Sequence, residues 1–186
     1  MIDRTTIRSA AIAALKVAAT NAGNSVYSPL DWPTQPGAYP LLIVRTPRER
    51  KENVAPRSGP PQFFSTITLA VVGRVEATTE AAAEAALETL SQQIENALLT
   101  NGQFIYVNGV QQFVSVETTM EIRSESEKHY GEVVVLFGIE VFQMYEPTID
   151  AAGTPMAPSL TEVDITITEG PGGETLTGID IILPGG

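Results

Sequence analysis

Residues 39–74, YPLLIVRTPRERKENVAPRSGPPQFFSTITLAVVGR, contain two strand patterns separated by a polar, basic segment. Residues 41–44 form a short apolar run, and residues 63–72 form a longer run of β-favouring residues with side chains for both faces of a sheet. They predict two neighbouring strands. Residues 46–61 contain four prolines and several charged side chains. Because these prolines and charged side chains cannot form a buried core of their own, the segment is predicted to be a long, projecting loop between the strands.

The composition indicates a folded protein that carries a large negative charge. The chain has 186 residues, of which 43% are hydrophobic and 18% charged, enough for one domain with a core and an appendage. Cysteine is absent, which excludes disulfides and thiolate chemistry. The net charge of −11 argues against a general nucleic-acid binder. No apolar run reaches membrane-spanning length and no signal peptide is recognised, so we expect a cytoplasmic location without a membrane partner.

Two stretches have the pattern of amphipathic helices. In the first, Asp3 is a candidate N-cap and Asn21 and Gly23 are stop signals. Between them lies a narrow stripe of mostly small apolar residues: Ile7, Ala10, Ala11, Ala14, Leu15 and Ala18. The second runs from about residue 80 to residue 99, after a threonine cap. Its predicted core face consists of Leu87, Leu90, Ile94 and Leu98. Glu80, Glu84 and Glu88 form an acidic stripe beside that face, which is ordinarily a solvated surface.

The following residues have the pattern of antiparallel strands. Asn108-Gly109 is a hairpin turn signal, so residues 104–107 and 111–113 are predicted to form a small hairpin. Residues 114–123 alternate apolar and polar side chains, which predicts a strand with one solvated face. Residues 124–131 are predicted to be a loop, and residues 132–145 a long apolar strand.

From residue 146 onward the composition changes. Residues 146–158 are a Pro/Gly linker, and residues 159–186 contain two β-patterned runs around a Gly-rich turn, which predicts a separate hairpin. Two strands are marginal alone, so this hairpin should contact its own domain, a neighbouring subunit or another protein. Its apolar residues are candidates for an inter-subunit contact: Val163, Ile165, Ile167, Ile179 and Ile181.

The predicted fold class is therefore α+β. We expect a mixed, mainly antiparallel β-sheet with two α-helices packed on it in residues 1–145, and a C-terminal β-hairpin appendage.

The sequence contains no recognisable catalytic, cofactor or metal motif. His129 is the only histidine and is predicted to lie in a solvated loop. The glycine-rich turn at residues 170–173 lacks the Lys-Ser/Thr of a phosphate loop. Neighbouring acidic pairs, Glu117 with Glu121 and Glu125 with Glu127, fall on a charged hairpin. We therefore expect a protein that is not an enzyme and that takes no cofactor or metal.

The basic segment is the main candidate for function. Four of its cations, Arg48, Arg50, Lys51 and Arg57, lie in the predicted loop. A mobile, solubilising loop is one interpretation, since Glu49 and Glu52 neutralise part of the charge. A docking arm that carries arginines to acidic groups on a partner is the other. Direct contact with DNA is less favoured because the rest of the chain is acidic.

The order of these elements resembles the tail terminator proteins of long-tailed bacteriophages, of the lambda type. The similarity covers roughly residues 2–145: the Ala-rich helix, the segment QPGAYPLLIV at residues 35–44, the excursion, the long second strand and the Glu-rich helix. It implies a small α+β domain that forms a ring, expected to be a hexamer. Such a ring caps the tail tube, stops its polymerisation and offers its opposite face for head-tail joining.

The same resemblance implies partners and a location. The partners would be further copies of this chain, the major tail tube protein and a head-tail connector or stopper protein, while DNA passes the lumen without specific binding. The basic loop would contact the tube protein or an adjacent subunit, and Glu80, Glu84 and Glu88 would be a candidate lining of the lumen. The protein would be located in the tail-neck region of a virion assembled in a bacterial cytoplasm.

Two other classes of function remain open on the sequence. One is another neck protein, a head-tail connector or stopper, which would share the small size, the acidity and the ring symmetry. The other is a binding or enzyme module outside any virion, which would be a monomer with a ligand pocket.

Overall fold

The computed structural model of the chain describes residues 2–29, 39–54, 60–125 and 128–146. In these residues a five-stranded mixed sheet carries two α-helices on one face, which confirms the predicted α+β class. The predicted linker and C-terminal hairpin lie outside the described residues, and so does Arg57 of the basic segment.

The elements follow one another in nearly the predicted order. The helices are α1, Arg4–Val17, and α2, Glu80–Leu99. The strands are β1 (Val26–Tyr27), β2 (Leu41–Asn53), β3 (Gln62–Ala77), β4 (Val110–Glu125) and β5 (Lys128–Met144). The sheet order is β1-β2-β3-β5-β4, in which only the β1–β2 pair is parallel. The four long strands therefore form an antiparallel sheet, to which β1 adds two residues.

Helix α1 begins at the predicted cap. The Asp3 carboxylate accepts a hydrogen bond from the backbone N–H of Thr6 at 2.7 Å, which satisfies one of the free donors of the first turn. The helix ends at Val17, before the predicted stop at Asn21, and Ala19 then takes a left-handed conformation. Its buried residues belong to the predicted stripe: Ile7, Ala11, Ala14 and Leu15.

Helix α2 matches its prediction closely. Thr79 caps it by accepting a hydrogen bond from the N–H of Ala82 at 3.2 Å. All four predicted core residues are buried, together with the smaller residues Ala83, Ser91 and Ala97. The helix therefore packs one apolar face on the sheet, as its periodicity indicates.

The core lies between the helices and one face of the sheet. It is formed by alternate residues of the central strands, Ile67, Leu69 and Val71 on β3 and Val133, Val135, Phe137, Ile139 and Val141 on β5. We call this the helix face. The opposite face has a smaller cluster, where Leu41, Ile43 and Val72 are covered by Tyr27, Tyr39 and Val134. We call it the open face, since neither α1 nor α2 lies on it.

The hairpin predicted around Asn108-Gly109 is wrong. Residues Gln103–Val107 form a π-helical turn, and β4 begins only after it. The Asn101 side chain accepts the N–H of Phe104 at 3.0 Å, and the Asn108 side chain donates to the Phe104 carbonyl at 3.0 Å. Phe104 is buried in the core near Phe113. Burial of this aromatic ring, a long-range effect, therefore overrides the local turn signal.

The loop predicted at residues 124–131 is also wrong in extent. Strand β4 continues to Glu125 and β5 starts at Lys128, so the connection is two residues long and is not itself described. His129 therefore lies on a strand, half-buried, with its Nδ1 2.9 Å from the Ser124 hydroxyl. Pairing between the two strands extends across a polar sequence that resembles a loop when it is read alone.

Neither described helix is both long enough and apolar enough to cross a membrane.

Candidate functional site

The basic segment is a strand for most of its length, which corrects the predicted loop. Strand β2 passes through a β-bulge between Arg45 and Arg48, which accommodates Pro47, and then pairs with β3 as far as Asn53. A bulge lets a strand admit a residue that cannot donate to the ladder. The prolines and charges of the sequence predicted a loop because the pairing with β3 is not visible locally.

The cations of this strand point to different faces. Arg48 pairs with Thr68 and Arg50 with Thr66, which places both arginines on the open face. Lys51 lies opposite Ser65 and is therefore on the helix face. Arg45 and Arg48 are exposed and have no ion pair among the described residues, whereas Arg50 is 2.9 Å from Glu52. The exposed arginines are available for a partner, because an exposed ion pair such as Arg50–Glu52 contributes little.

On the helix face, a polar network centres on Glu49. Its carboxylate accepts hydrogen bonds from the hydroxyl of Ser65 at 2.7 Å and from the side-chain amide of Gln143 at 3.1 Å. Arg4 Nε and Lys51 Nζ both lie 3.6 Å from it. Ser65 and Gln143 are buried, and Gln143 also donates to the carbonyl of Ile2 at 2.7 Å. The network therefore connects the N-terminus of the chain to the sheet, which is a structural role.

Hydrogen bonding fixes the charges of this network. Burial raises the pKa of Glu49, but the donors from Ser65, Gln143 and Lys51 outweigh it, so the pKa lies below the ordinary value of 4.5. The pKa of Lys51 is raised, first by its hydrogen bond to the Tyr145 hydroxyl and also by Glu49, against a lowering effect of burial. Both side chains are therefore charged at neutral pH.

We expect Glu49→Gln to lower the free energy of unfolding at pH 7 by about 1–3 kcal/mol, because charge-assisted hydrogen bonds are lost. The folded pKa is depressed, so the stabilisation is present above the unfolded value near 4.5 and disappears as the pH falls through the folded value. Urea denaturation at several pH values should show the difference from wild type shrinking in acid. Glu84→Gln, at an exposed position on α2, is the control. A pH-independent difference would contradict the assigned role of the carboxylate.

The predicted acidic stripe is exposed on α2. Glu80, Glu84 and Glu88 point away from the buried face of the helix, and none of them has an ion pair among the described residues. They form a continuous negative surface. It lies on the helix side of the sheet, whereas Arg48 and Arg50 lie on the open face.

Strand β4 has an exposed edge that the sequence did not reveal. Its alternation predicted one buried face, but Val114, Val116 and Met120 are 47%, 39% and 39% exposed. Val116 and Met120 lie on the helix face, on either side of Thr118, whose hydroxyl donates to Glu95 of α2 at 3.1 Å, and they stay partly exposed because β4 is the outermost strand of the sheet. Val114 falls at the register shift between Phe113 and Ser115 and lies near Gly138 on the open face. Tyr106 and Val107, in the π-helical turn just before it, are more exposed still. The sequence pattern gives strand and alternation, but not the position of a strand in the sheet.

An open cavity of about 730 Å³ lies at the far end of the sheet from Asn53. It is lined by three ion pairs, Arg74–Glu132 at 2.7 Å, Arg123–Glu121 at 2.9 Å and Lys128–Glu76 at 2.5 Å. Tyr39 and Tyr130 contact each other beside it, with ring centroids 5.9 Å apart. The cations and anions are matched, so the cavity has no net charge with which to select a ligand. Elsewhere too, the described residues contain no cluster of three or more metal-ligating side chains.

Comparison with known proteins adds little to this geometry. No family model matches the chain, and no curated protein matches it. A chain from a solved structure described as "Virion of native gene transfer agent (GTA) particle" overlaps with it at a TM-score of 0.37 and 14% identity, over 68% of this chain and 84% of that chain. A likeness at this level carries no argument about function.

Proposed function

We propose that this chain is a structural protein of a phage-like virion, and specifically a tail terminator. In this role it forms a ring, expected to contain six copies, that caps the tail tube, stops its polymerisation and provides the interface for head-tail joining. The ring would lie in the tail-neck region of the particle.

The observation that carries the proposal is a long antiparallel sheet with two unlike, exposed edges. One edge, the outer half of β2, is basic, and the other, β4, presents apolar and acidic side chains. A closed ring needs a contact between two different surfaces of each copy, and unlike edges meet that requirement. The element order in residues 2–145, which resembles lambda-type tail terminators, supports the same assignment.

Charge supports a lumen through which DNA slides. With a net charge of −11, the chain repels the DNA backbone. The exposed stripe of Glu80, Glu84 and Glu88 is the proposed lining. The arginines of β2, together with Arg57, are the proposed contact with the tube protein or an adjacent subunit. The predicted C-terminal hairpin is proposed to lie on a neighbouring copy.

The deciding experiment is electron microscopy of tails assembled with and without this protein. Overlong tubes in its absence are the expected result, because a tube without a cap continues to polymerise. Tubes of normal length that fail to join heads would instead make the protein a connector or stopper. Normal particles in its absence would reject the proposal that the chain is a structural protein of the virion.

We expect that changing Arg48, Arg50 and Arg57 together to serine leaves the fold intact and reduces incorporation into particles at least several-fold. Arg48 and Arg50 are exposed on a strand edge, so their loss removes no core contact, while it removes cationic groups from an interface. Circular dichroism and quantitative blotting of purified particles provide the two readouts. Lys16→Ser removes an exposed cation from α1 and is the control. Normal incorporation of the triple variant would rule out the docking role.

A further inference from the structure

We propose that β4 of one copy pairs antiparallel with the outer half of β2 in the next copy, so that the sheets of neighbouring subunits join edge to edge. This deepens the proposed ring by naming the contact that closes it. Within one copy Glu117 is level with Arg45 and Ser115 with Arg48. A stagger of two residues between copies, of the kind that tilted strands in a closed sheet require, brings Glu117 of one copy beside Arg48 of the next.

The first support is that β4 is a long edge strand. Its ladder with β5 is regular over residues 115–125, and in the described part of the chain no other strand pairs with it. Exposed edges present unpaired backbone donors and acceptors, and proteins normally protect them. The exposed Val114, Val116 and Met120 mark this edge as one that an assembly would cover.

The second support is that the other side of the sheet has a matching edge. Strand β1 pairs only with Leu42 and Ile43, so within the described residues β2 has a single neighbouring strand, β3, after the bulge. Residues 48–53 form an uninterrupted ladder there, long enough for a strand to add alongside.

The third support is the direction of the strands. Because β2–β3, β3–β5 and β5–β4 are all antiparallel, β2 and β4 run in opposite directions. Rotation about an axis that runs nearly along the strands preserves the direction of each strand and the side on which the helices lie, and the tilt of the strands in a closed sheet staggers the register between copies. In a ring built this way, β4 meets the next β2 antiparallel, and the helix faces of all copies lie on the same side.

The fourth support is complementary charge on one face. Glu117 lies opposite Leu136, which is opposite Ala70, which is opposite Arg45, so Glu117 and Arg45 share the open face. Arg48, opposite Thr68, is on that face too. Glu117 is exposed and has no ion pair among the described residues, as is true of Arg45 and Arg48. Each edge thus presents charge that the other neutralises, and a copy of the same edge would be repelled.

Charge reversal tests this pairing in the full-length chain. Glu117→Arg and Arg48→Glu, made separately, each place like charges across the contact, and we expect the dissociation constant for self-association to rise about ten-fold or more. The chain that carries both reversals restores an opposite-charge pair between copies and should recover most of the loss. Native mass spectrometry over a concentration series measures the dissociation constant of each variant, with Lys16→Glu, a charge reversal at an exposed position on α1, as the control. Unchanged single variants, a double variant no better than the single ones, or a wild-type chain that stays monomeric at its highest soluble concentration would overturn the proposal.

Crosslinking provides a second readout that separates this contact from the proposed function. The chain has no cysteine, so Glu117→Cys combined with Arg48→Cys introduces the only thiols. Three strand spacings, roughly 14 Å, separate the two positions within one copy, too far for a disulfide. We therefore expect a covalent ladder of copies that ends at the ring size, and no ladder would overturn the contact. A ladder together with tails of normal length without the protein would leave the contact standing and reject the terminator role. Overlong tails in the absence of the protein, together with no covalent ladder, would support the terminator role and reject the contact between β4 and β2.

Discussion

Replacement of Leu90 by alanine is expected to lower the free energy of unfolding by about 2–5 kcal/mol. Leu90 is fully buried on α2, and its side chain packs into the core that α2 shares with the helix face of the sheet. The substitution removes apolar contacts and leaves a cavity that rigid strands on one side and the helix on the other cannot fill.

Urea denaturation followed by circular dichroism measures this effect, and Leu99→Ala is the matched control. Leu99 is two and a half turns further along the same helix, but its side chain is 36% exposed. We expect its replacement to change the free energy of unfolding by much less than that of Leu90, since partly exposed side chains lose less burial. Equal effects at the two positions would mean that α2 does not pack on the sheet as described.

Replacement of Gly73 by valine is expected to lower the free energy of unfolding by about 1–3 kcal/mol. A Cβ atom at this position would lie 2.8 Å from Cδ2 of Leu90 and 2.9 Å from Cγ1 of Val133. Both neighbours are fully buried, so neither can move without displacing others. Gly73 thus allows α2 to approach the sheet closely.

Gly102→Ala is the control for the backbone effect of losing a glycine. Gly102 has a φ of −59°, which any residue adopts, and the nearest atoms to an added Cβ are 3.6 Å away. We expect the alanine variant to be as stable as wild type or slightly more stable, because the unfolded chain loses conformational freedom. If Gly73→Val were equally harmless in thermal and urea denaturation, the close approach of α2 to β3 would be incorrect.

Leu90→Ala and Gly73→Val both change the contact between α2 and the helix face of the sheet. Strands β3 and β5 are fixed by α2, whereas β4 and the outer half of β2 extend beyond it. The covered centre and exposed edges of the same sheet suit the contact that we propose between copies.

Elements decided by neighbouring residues were predictable from the sequence. Asp3 and Thr79 were recognised as caps because a cap is a contact across three residues. The buried face of α2 followed from the spacing of Leu87, Leu90 and Ile94, since helical geometry alone places these side chains together.

Elements that depend on residues distant in the chain were not predictable from the sequence. The strand character of Arg48 and Arg50 comes from hydrogen bonding to β3, which overrides a composition typical of loops. The π-helical turn at Gln103–Val107 exists because Phe104 is buried against residues far away in the chain. The Glu49 network unites residues up to 141 positions apart, and no local spacing signals it.

The sequence by itself therefore determined the α+β class, both helices with their buried faces, the acidity and the basic segment. Only the tertiary structure decided which strands are edges, which face each charge occupies and where the apolar surface of β4 is left uncovered. The physical reason is that helix caps and periodicity are local interactions, whereas strand pairing and burial are set by residues that meet only when the sheet has formed.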